Sequence, residues 1–134
     1  MSAIVHTAEL PWLPKTKPGV EEPLGEFKAL WQAHGCDQFE VRLTRIPPHG
    51  GTSTRYHTHT LEEEWFFVLQ GTCHICLEGT WHALQPRDSI FKRCGAFHTF
   101  RNFGDKPCEL LMLGSNVDGS ETRVADEPPP PERA

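Results

Sequence analysis

The stretch Gly51-Thr-Ser-Thr-Arg-Tyr-His57-Thr-His59-Thr-Leu-Glu-Glu-Glu64-Trp-Phe-Phe-Val-Leu-Gln-Gly71 decides how this chain is read. Two histidines one residue apart project from the same face of a β-strand, which suits adjacent ligands of one metal ion. Glu64 follows five residues after His59, so on one continuous strand it would face the opposite side. A turn or bulge must intervene, and Thr60-Leu-Glu-Glu63 can supply it. A second strand then starts, with Glu64, Phe66 and Val68 facing one way and Trp65, Phe67 and Leu69 the other.

Working outward, the same short-strand pattern recurs. Phe39-Glu-Val-Arg-Leu-Thr-Arg-Ile46 alternates apolar and polar residues before the turn Pro47-Pro48-His49-Gly50. Thr72-Cys-His-Ile-Cys-Leu77 ends at Glu78-Gly79, and Thr80-Trp-His-Ala-Leu84 ends before Pro86. Ser89-Ile-Phe-Lys92, Thr99-Phe-Arg-Asn102 and Cys108-Glu-Leu-Leu-Met-Leu113 complete about eight strands, a count that favours a closed or two-sheet antiparallel barrel. Pro11, Pro14, Pro18 and Pro23, with Gly19 and Gly25, break any long helix near the start and imply short strands there; residues 25–34 allow a turn or two of helix. From Val117 the chain is polar and carries four consecutive prolines, so 117–134 is expected to be an irregular tail, mobile or an arm against a partner. Residues 1–116 then form one domain with its metal-binding core at about 39–113.

The 134 residues leave room for one core, and a net charge of −5 with 13 dispersed basic residues gives no surface for nucleic acid or an anionic membrane. No stretch approaches the roughly 20 apolar residues of a membrane span, and the first ten residues lack the charged start and apolar core of an export signal. A cytoplasmic protein is expected. Five cysteines, an odd number, argue for free thiols; Cys73 and Cys76, three apart on a strand, point to opposite faces and cannot easily share an ion. Cys94 is placed to line the mouth of a site. His6, His34, His49, His74 and His82 have no partner at ligand spacing.

Later in the chain comes Gly95-Ala-Phe-His98-Thr-Phe-Arg-Asn102. The two blocks resemble the paired motifs of the cupin superfamily, G(X)5HXH(X)3,4E(X)6G and G(X)5PXG(X)2H(X)3N. The first matches at every fixed position. The second departs at Arg87, where the family usually has glycine, and at Arg93, where it has proline; Pro86-Arg87-Asp88 can still form a type I turn, which needs no glycine. The resemblance implies an all-β, cupin-type jelly-roll barrel of two antiparallel sheets, one divalent transition metal per chain held by His57, His59, Glu64 and His98, and a homodimer. Its spacing to Gly71 selects Glu64 over Glu62 and Glu63. Asn102 is expected in a turn rather than at the metal, since amides compete poorly with imidazole.

Three imidazoles and a carboxylate suit Fe(II), with Zn(II), Mn(II) and Ni(II) as alternatives, and leave about two positions of an octahedral ion open. With Fe(II) the expected chemistry is dioxygen insertion into a small organic molecule. With the other ions it is isomerisation, lyase chemistry or decarboxylation, Glu64 loosening to serve as catalytic base. A non-catalytic small-molecule or metal-binding protein is the third expectation. Arg55 shares the face of His57 and His59 and can bind a substrate carboxylate or phenolate, with Tyr56 beside it as a further substrate contact. Trp65-Phe-Phe-Val and the set Phe97, Phe100 and Phe103 imply an aromatic-rich interior.

Overall fold

Alternation of side chains along the strands produces two facing antiparallel sheets, described for residues 3–16 and 24–131 of a computed structural model. Strands β1 (Leu13–Pro14), β2 (Glu26–Ala29), β3 (Phe39–Ile46), β4 (Gly51–Thr52), β5 (His57–His59) and β6 (Glu64–Gln70) come first. They are followed by β7 (Cys73–Leu77), β8 (Thr80–Leu84), β9 (Ser89–Lys92), β10 (His98–Asn102), β11 (Cys108–Ser115) and β12 (Thr122–Val124). One sheet runs β1-β2-β3-β11-β6-β9; the other runs β12-β5-β10-β7-β8, with β4 also pairing β10. The jelly roll expected from the sequence is what this topology forms. The helix allowed at 25–34 is confined to α1 (Leu30–His34), since residues 26–29 pair with β3 as β2. Pro18, Gly19 and Pro23 lie outside the described residues, as do 132–134 of the tail.

Register sorts the first sheet into cross-strand rows. On its inner face Glu40, Gly114, Glu64 and Lys92 lie side by side across β3, β11, β6 and β9. One row deeper come Arg42, Met112, Phe66 and Ile90, and then Thr44, Leu110 and Val68. The core therefore sits beneath a polar row: Ile46, Phe66, Val68, Leu110 and Met112 from one sheet close on Cys73, Ile75 and Phe100 from the other. Each fully buried aliphatic or aromatic side chain contributes roughly 1.5–3 kcal/mol.

Three local features depart from expectation. The tail contributes β12, an edge strand on β5, so part of it is ordered against its own barrel. An edge place suits a proline-rich segment, which cannot supply an interior strand. The Pro86-Arg87 turn closes with Asp88 N–H donating to the Gln85 carbonyl at 3.0 Å, but Arg87 has φ 75°. A type I turn needs negative φ there; the left-handed value is the type II pattern, where glycine is preferred. Of the aromatic set, Phe66 and Phe100 face inward, whereas Phe97 stacks on Tyr56 and Phe103 packs on His74 and Trp81, away from the core.

Candidate metal centre

Strand β5 carries His57 and His59 on one face, as the one-residue spacing requires. His98 on β10 is directly opposite His57, and their ring centroids are 4.5 Å apart. Between residues 59 and 64 the chain leaves this sheet and enters the other, so Glu64 arrives from across the barrel. That crossing resolves the parity conflict in the sequence. Its end is pinned to β11, with Glu63 N–H donating to Ser115 Oγ at 3.0 Å and Ser115 N–H to the Glu63 carbonyl at 3.0 Å.

Ligand-type atoms of His57, Glu64 and His98 all lie within 4.8 Å of one another, and all three residues are buried. His59 joins them: its Nε2 is 3.2 Å from His57 Nε2 and 3.6 Å from Glu64 Oε1. His98 Nε2 is 3.4 Å from the same Oε1. Nδ1 of His57 donates to the Arg55 carbonyl at 2.6 Å, which puts the ring proton on Nδ1 and leaves an Nε2 lone pair facing the cluster. Outer partners of this kind set the tautomer of metal-binding histidines.

Electrostatics favour a neutral His98 ring and a constrained carboxylate. His98 is held neutral, its pKa pushed down to about 2, first by burial and then by the neighbouring charges of His57, Lys92 and His59. Burial raises the Glu64 carboxyl above its ordinary range, and Lys92 acts against that rise. Lys92 is fully buried with Nζ 3.7 Å from Glu64 Oε1, and among the described residues neither atom has a hydrogen-bond partner. A buried carboxylate oxygen without a donor, beside three convergent Nε2 atoms, fits a divalent cation in chemistry and placement. His57, His59, His98 and Glu64 are the residues that would hold it.

A cavity of about 310 Å³ opens over this cluster. Phe66, Phe100, Leu110 and Met112 form its floor, and Lys15, Glu40, Arg42, Arg55 and Glu62 its charged wall. Gly114 lies between Glu40 and Glu64 in the polar row and lines the cavity, where a Cβ would stand 3.6 Å from Glu64 Cγ. Arg55 is exposed and lines the cavity; Tyr56 does not. Tyr56 is buried against Phe97, and its hydroxyl accepts the Gly79 N–H at 3.1 Å, which places it off the cavity that Arg55 lines. Cys94 is exposed and off the cavity wall. Glu62 lies on the wall with Oε2 3.8 Å from His59 Nδ1, whereas Glu63 is exposed. Asn102 ends β10 rather than lying in the turn, and braces the turn that follows: its side chain donates to the Ile46 and Lys106 carbonyls and accepts the Gly104 N–H.

Two residues of the site escape a reading of the motifs. Lys92 shares strand parity with Ile90, a signal that it points inward, but a lysine there reads as surface. Thr122 approaches His59 only because the tail folds back, and nothing local announces that.

The cupin domain family model matches residues 42–114. Among curated proteins the chain is similar to mannose-1-phosphate guanylyltransferase of Escherichia coli K12, 27% identical over 96 residues, which are 72% of this chain and 19% of that protein. The chain thus spans about a fifth of the length of that relative. Among solved structures it resembles a putative sugar phosphate isomerase from Acidithiobacillus ferrooxidans, with TM-score 0.70 and 30% identity over 75% of this chain and 64% of that one. It also superposes on the polyketide cyclase RemF of Streptomyces resistomycificus, with TM-score 0.78 and 24% identity over 92% and 85% of the two chains, a likeness of fold.

Proposed function

The chain belongs to the cupin domain family, and from that premise we propose that it is a metal-dependent enzyme acting on a small anionic molecule by redox-neutral chemistry, of isomerase or lyase type. The observation that carries the reading is the approach of His59 and His98 Nε2 to a buried Glu64 oxygen, with His57 Nε2 3.2 Å from His59 Nε2, at the base of an open cavity. A divalent ion held there would act as a Lewis acid on substrate oxygens. Dioxygen insertion, the first expectation from the sequence, has no counterpart among the relatives named above. The likeness to a putative sugar phosphate isomerase supports isomerisation instead.

The chain's own groups divide the remaining work. Arg55, Arg42 and Lys15 on the wall attract and orient an anionic group. Phe66, Phe100, Leu110 and Met112 exclude water from the floor and so strengthen every electrostatic contact above them. Glu64, whose Oε1 faces the cluster, would serve as base by loosening from the ion, taking a proton from a substrate carbon and returning it. We further infer a homodimer. The outer face of the first sheet supports it, because Phe39, Trp65, Leu69, Phe91 and Leu113 are each 38–50% exposed there.

The test is metal content by elemental mass spectrometry on protein purified without tag or chelator, beside His59→Ala. Near-stoichiometric metal that is lost in the variant supports the reading. A panel of small carboxylates and phosphates is then screened for solvent deuterium incorporation and oxygen uptake. Exchange without oxygen uptake is the expected result, and substrate-dependent oxygen consumption would restore the oxygenase reading.

A further inference from the structure

Strand β5 is short and weakly held from one side. Its pairing with β10 consists of His98 opposite His57. Its other edge is covered by β12, which pairs Thr122 with His59, Arg123 with Thr58 and Val124 with His57. Further bonds tie the same two segments: Thr60 N–H to the Glu121 carbonyl at 2.9 Å, Glu121 N–H to Thr60 Oγ1 at 2.9 Å, and Ala125 N–H to the Tyr56 carbonyl at 3.1 Å. Beyond β12 the tail is anchored again, by Arg101 Nε on the Glu127 carboxylate at 3.0 and 3.2 Å and by Trp81 Nε1 donating to the Pro129 carbonyl at 2.8 Å. Ser120, Thr122 and Val124 line the cavity. All of this lies past residue 114, where the family match ends.

At the centre of this contact Thr122 Oγ1 is 3.1 Å from Nδ1 of His59. A neutral imidazole carries one proton, so a hydroxyl that accepts from Nδ1 leaves Nε2 bare and turned toward Glu64. Glu62 also approaches this Nδ1, but at 3.8 Å it is outside hydrogen-bond range. The Arg55 carbonyl that fixes the His57 tautomer lies two residues before it, whereas the hydroxyl that meets His59 Nδ1 comes from a residue 63 positions away. We propose that Thr122 is a positioning residue of the metal centre, and that the C-terminal strand is a structural wall of the site which sets the ring orientation and tautomer of His59. The proposal rests on the reading of His59 as a metal ligand.

The test uses the full-length chain and Co(II) as probe. Thr122→Val keeps the β-branched shape that β12 needs and removes the hydroxyl, while Thr122→Ser keeps the hydroxyl. Thr122→Val is expected to bind Co(II) about tenfold more weakly or worse, with an altered visible d–d spectrum, and Thr122→Ser to match the parent in both. Equal affinity and spectrum in Thr122→Val overturn the proposal. Nitrogen-15 NMR of metal-free protein provides a reading that needs no ion. The parent His59 should hold its proton on Nδ1, and Thr122→Val should redistribute it. A parent ring protonated on Nε2, or identical tautomers in both proteins, also overturns it. A parent that fails to bind Co(II) defeats the ligand reading, and the NMR comparison then decides the role of Thr122 alone.

Discussion

Glu64 and Lys92 face each other directly across the β6–β9 pair, both buried, with Oε1 and Nζ 3.7 Å apart and neither hydrogen-bonded among the described residues. Removing one member of such a pair leaves an uncompensated charge in a low-dielectric site, which typically costs about 3–5 kcal/mol; removing both does not. In metal-free protein Glu64→Gln should therefore be destabilised by about 3 kcal/mol, and Glu64→Gln combined with Lys92→Met should recover most of the loss. Urea unfolding of parent, single and double variants measures this. A double variant no more stable than Glu64→Gln would remove the pair from the account.

Arg87 occupies a left-handed conformation in the turn before β9, at the position where the family carries glycine. A side chain there costs roughly 1–2 kcal/mol, partly offset by the extra chain entropy that glycine loses on folding. Arg87→Gly is expected to stabilise the protein by about 0.5–1 kcal/mol, raising the urea midpoint with no change in metal content. An unchanged or lowered midpoint would mean that the arginine side chain compensates its own strain.

The neutral state of His98 makes stability depend on pH. Burial holds its folded pKa at about 2, while the unfolded ring takes a proton below its ordinary value of 6.5. Between these values the unfolded chain binds more protons, so this contribution is complete above pH 6.5 and is lost as pH falls. The Glu64 carboxyl, raised by burial, acts in the opposite sense: its contribution falls as pH rises through 4.5 to its folded value. Metal-free parent should thus lose stability between pH 6.5 and 5 more steeply than His98→Gln, by up to about 1.4 kcal/mol per pH unit for one proton. Parallel slopes in urea unfolding would show that His98 is protonated in the folded protein.

The exposed aromatic and aliphatic face of the first sheet gives the homodimer its own test. Phe91 is half exposed at the edge strand β9, and Trp65 lies beside it on β6. Phe91→Glu would put a carboxylate into that face. Sedimentation should find a dimer for the parent and a monomer for the variant, with the same metal content in both. A monomeric parent at high concentration would withdraw the dimer.

Much of the fold was legible because side-chain alternation is a local property. Strands β3, β8 and β9 begin and end where the apolar pattern and its turns place them, and the mismatch in parity between His59 and Glu64 announced a turn or bulge between two strands, though not that the chain changes sheets there. What alternation could not give was partnership. Residues 26–29 became a strand because β3 needed a neighbour, and residues 122–124 did so because β5 had a bare edge. The aromatic interior was overcounted for a simpler reason: Phe97 and Phe103 lie just outside β10, off the face that His98, Phe100 and Asn102 share. The glycine absent at position 87 was itself the signal for a left-handed turn, and only its consequence for φ was misjudged.

The pairing of β5 also imposes an order on biosynthesis. Both neighbours of this strand lie later in the chain, one at residue 98 and the other at residues 122–124. As a ribosome extends the chain from its N-terminus, His57 and His59 emerge long before either flank exists. A nascent chain that stops short of residue 122 leaves the second edge of β5 unpaired and exposes histidines able to capture a metal in the wrong geometry. Completion of the second edge of β5 is therefore tied to synthesis past residue 124, and a product that stops before it would carry all four ligands without the strand that flanks two of them.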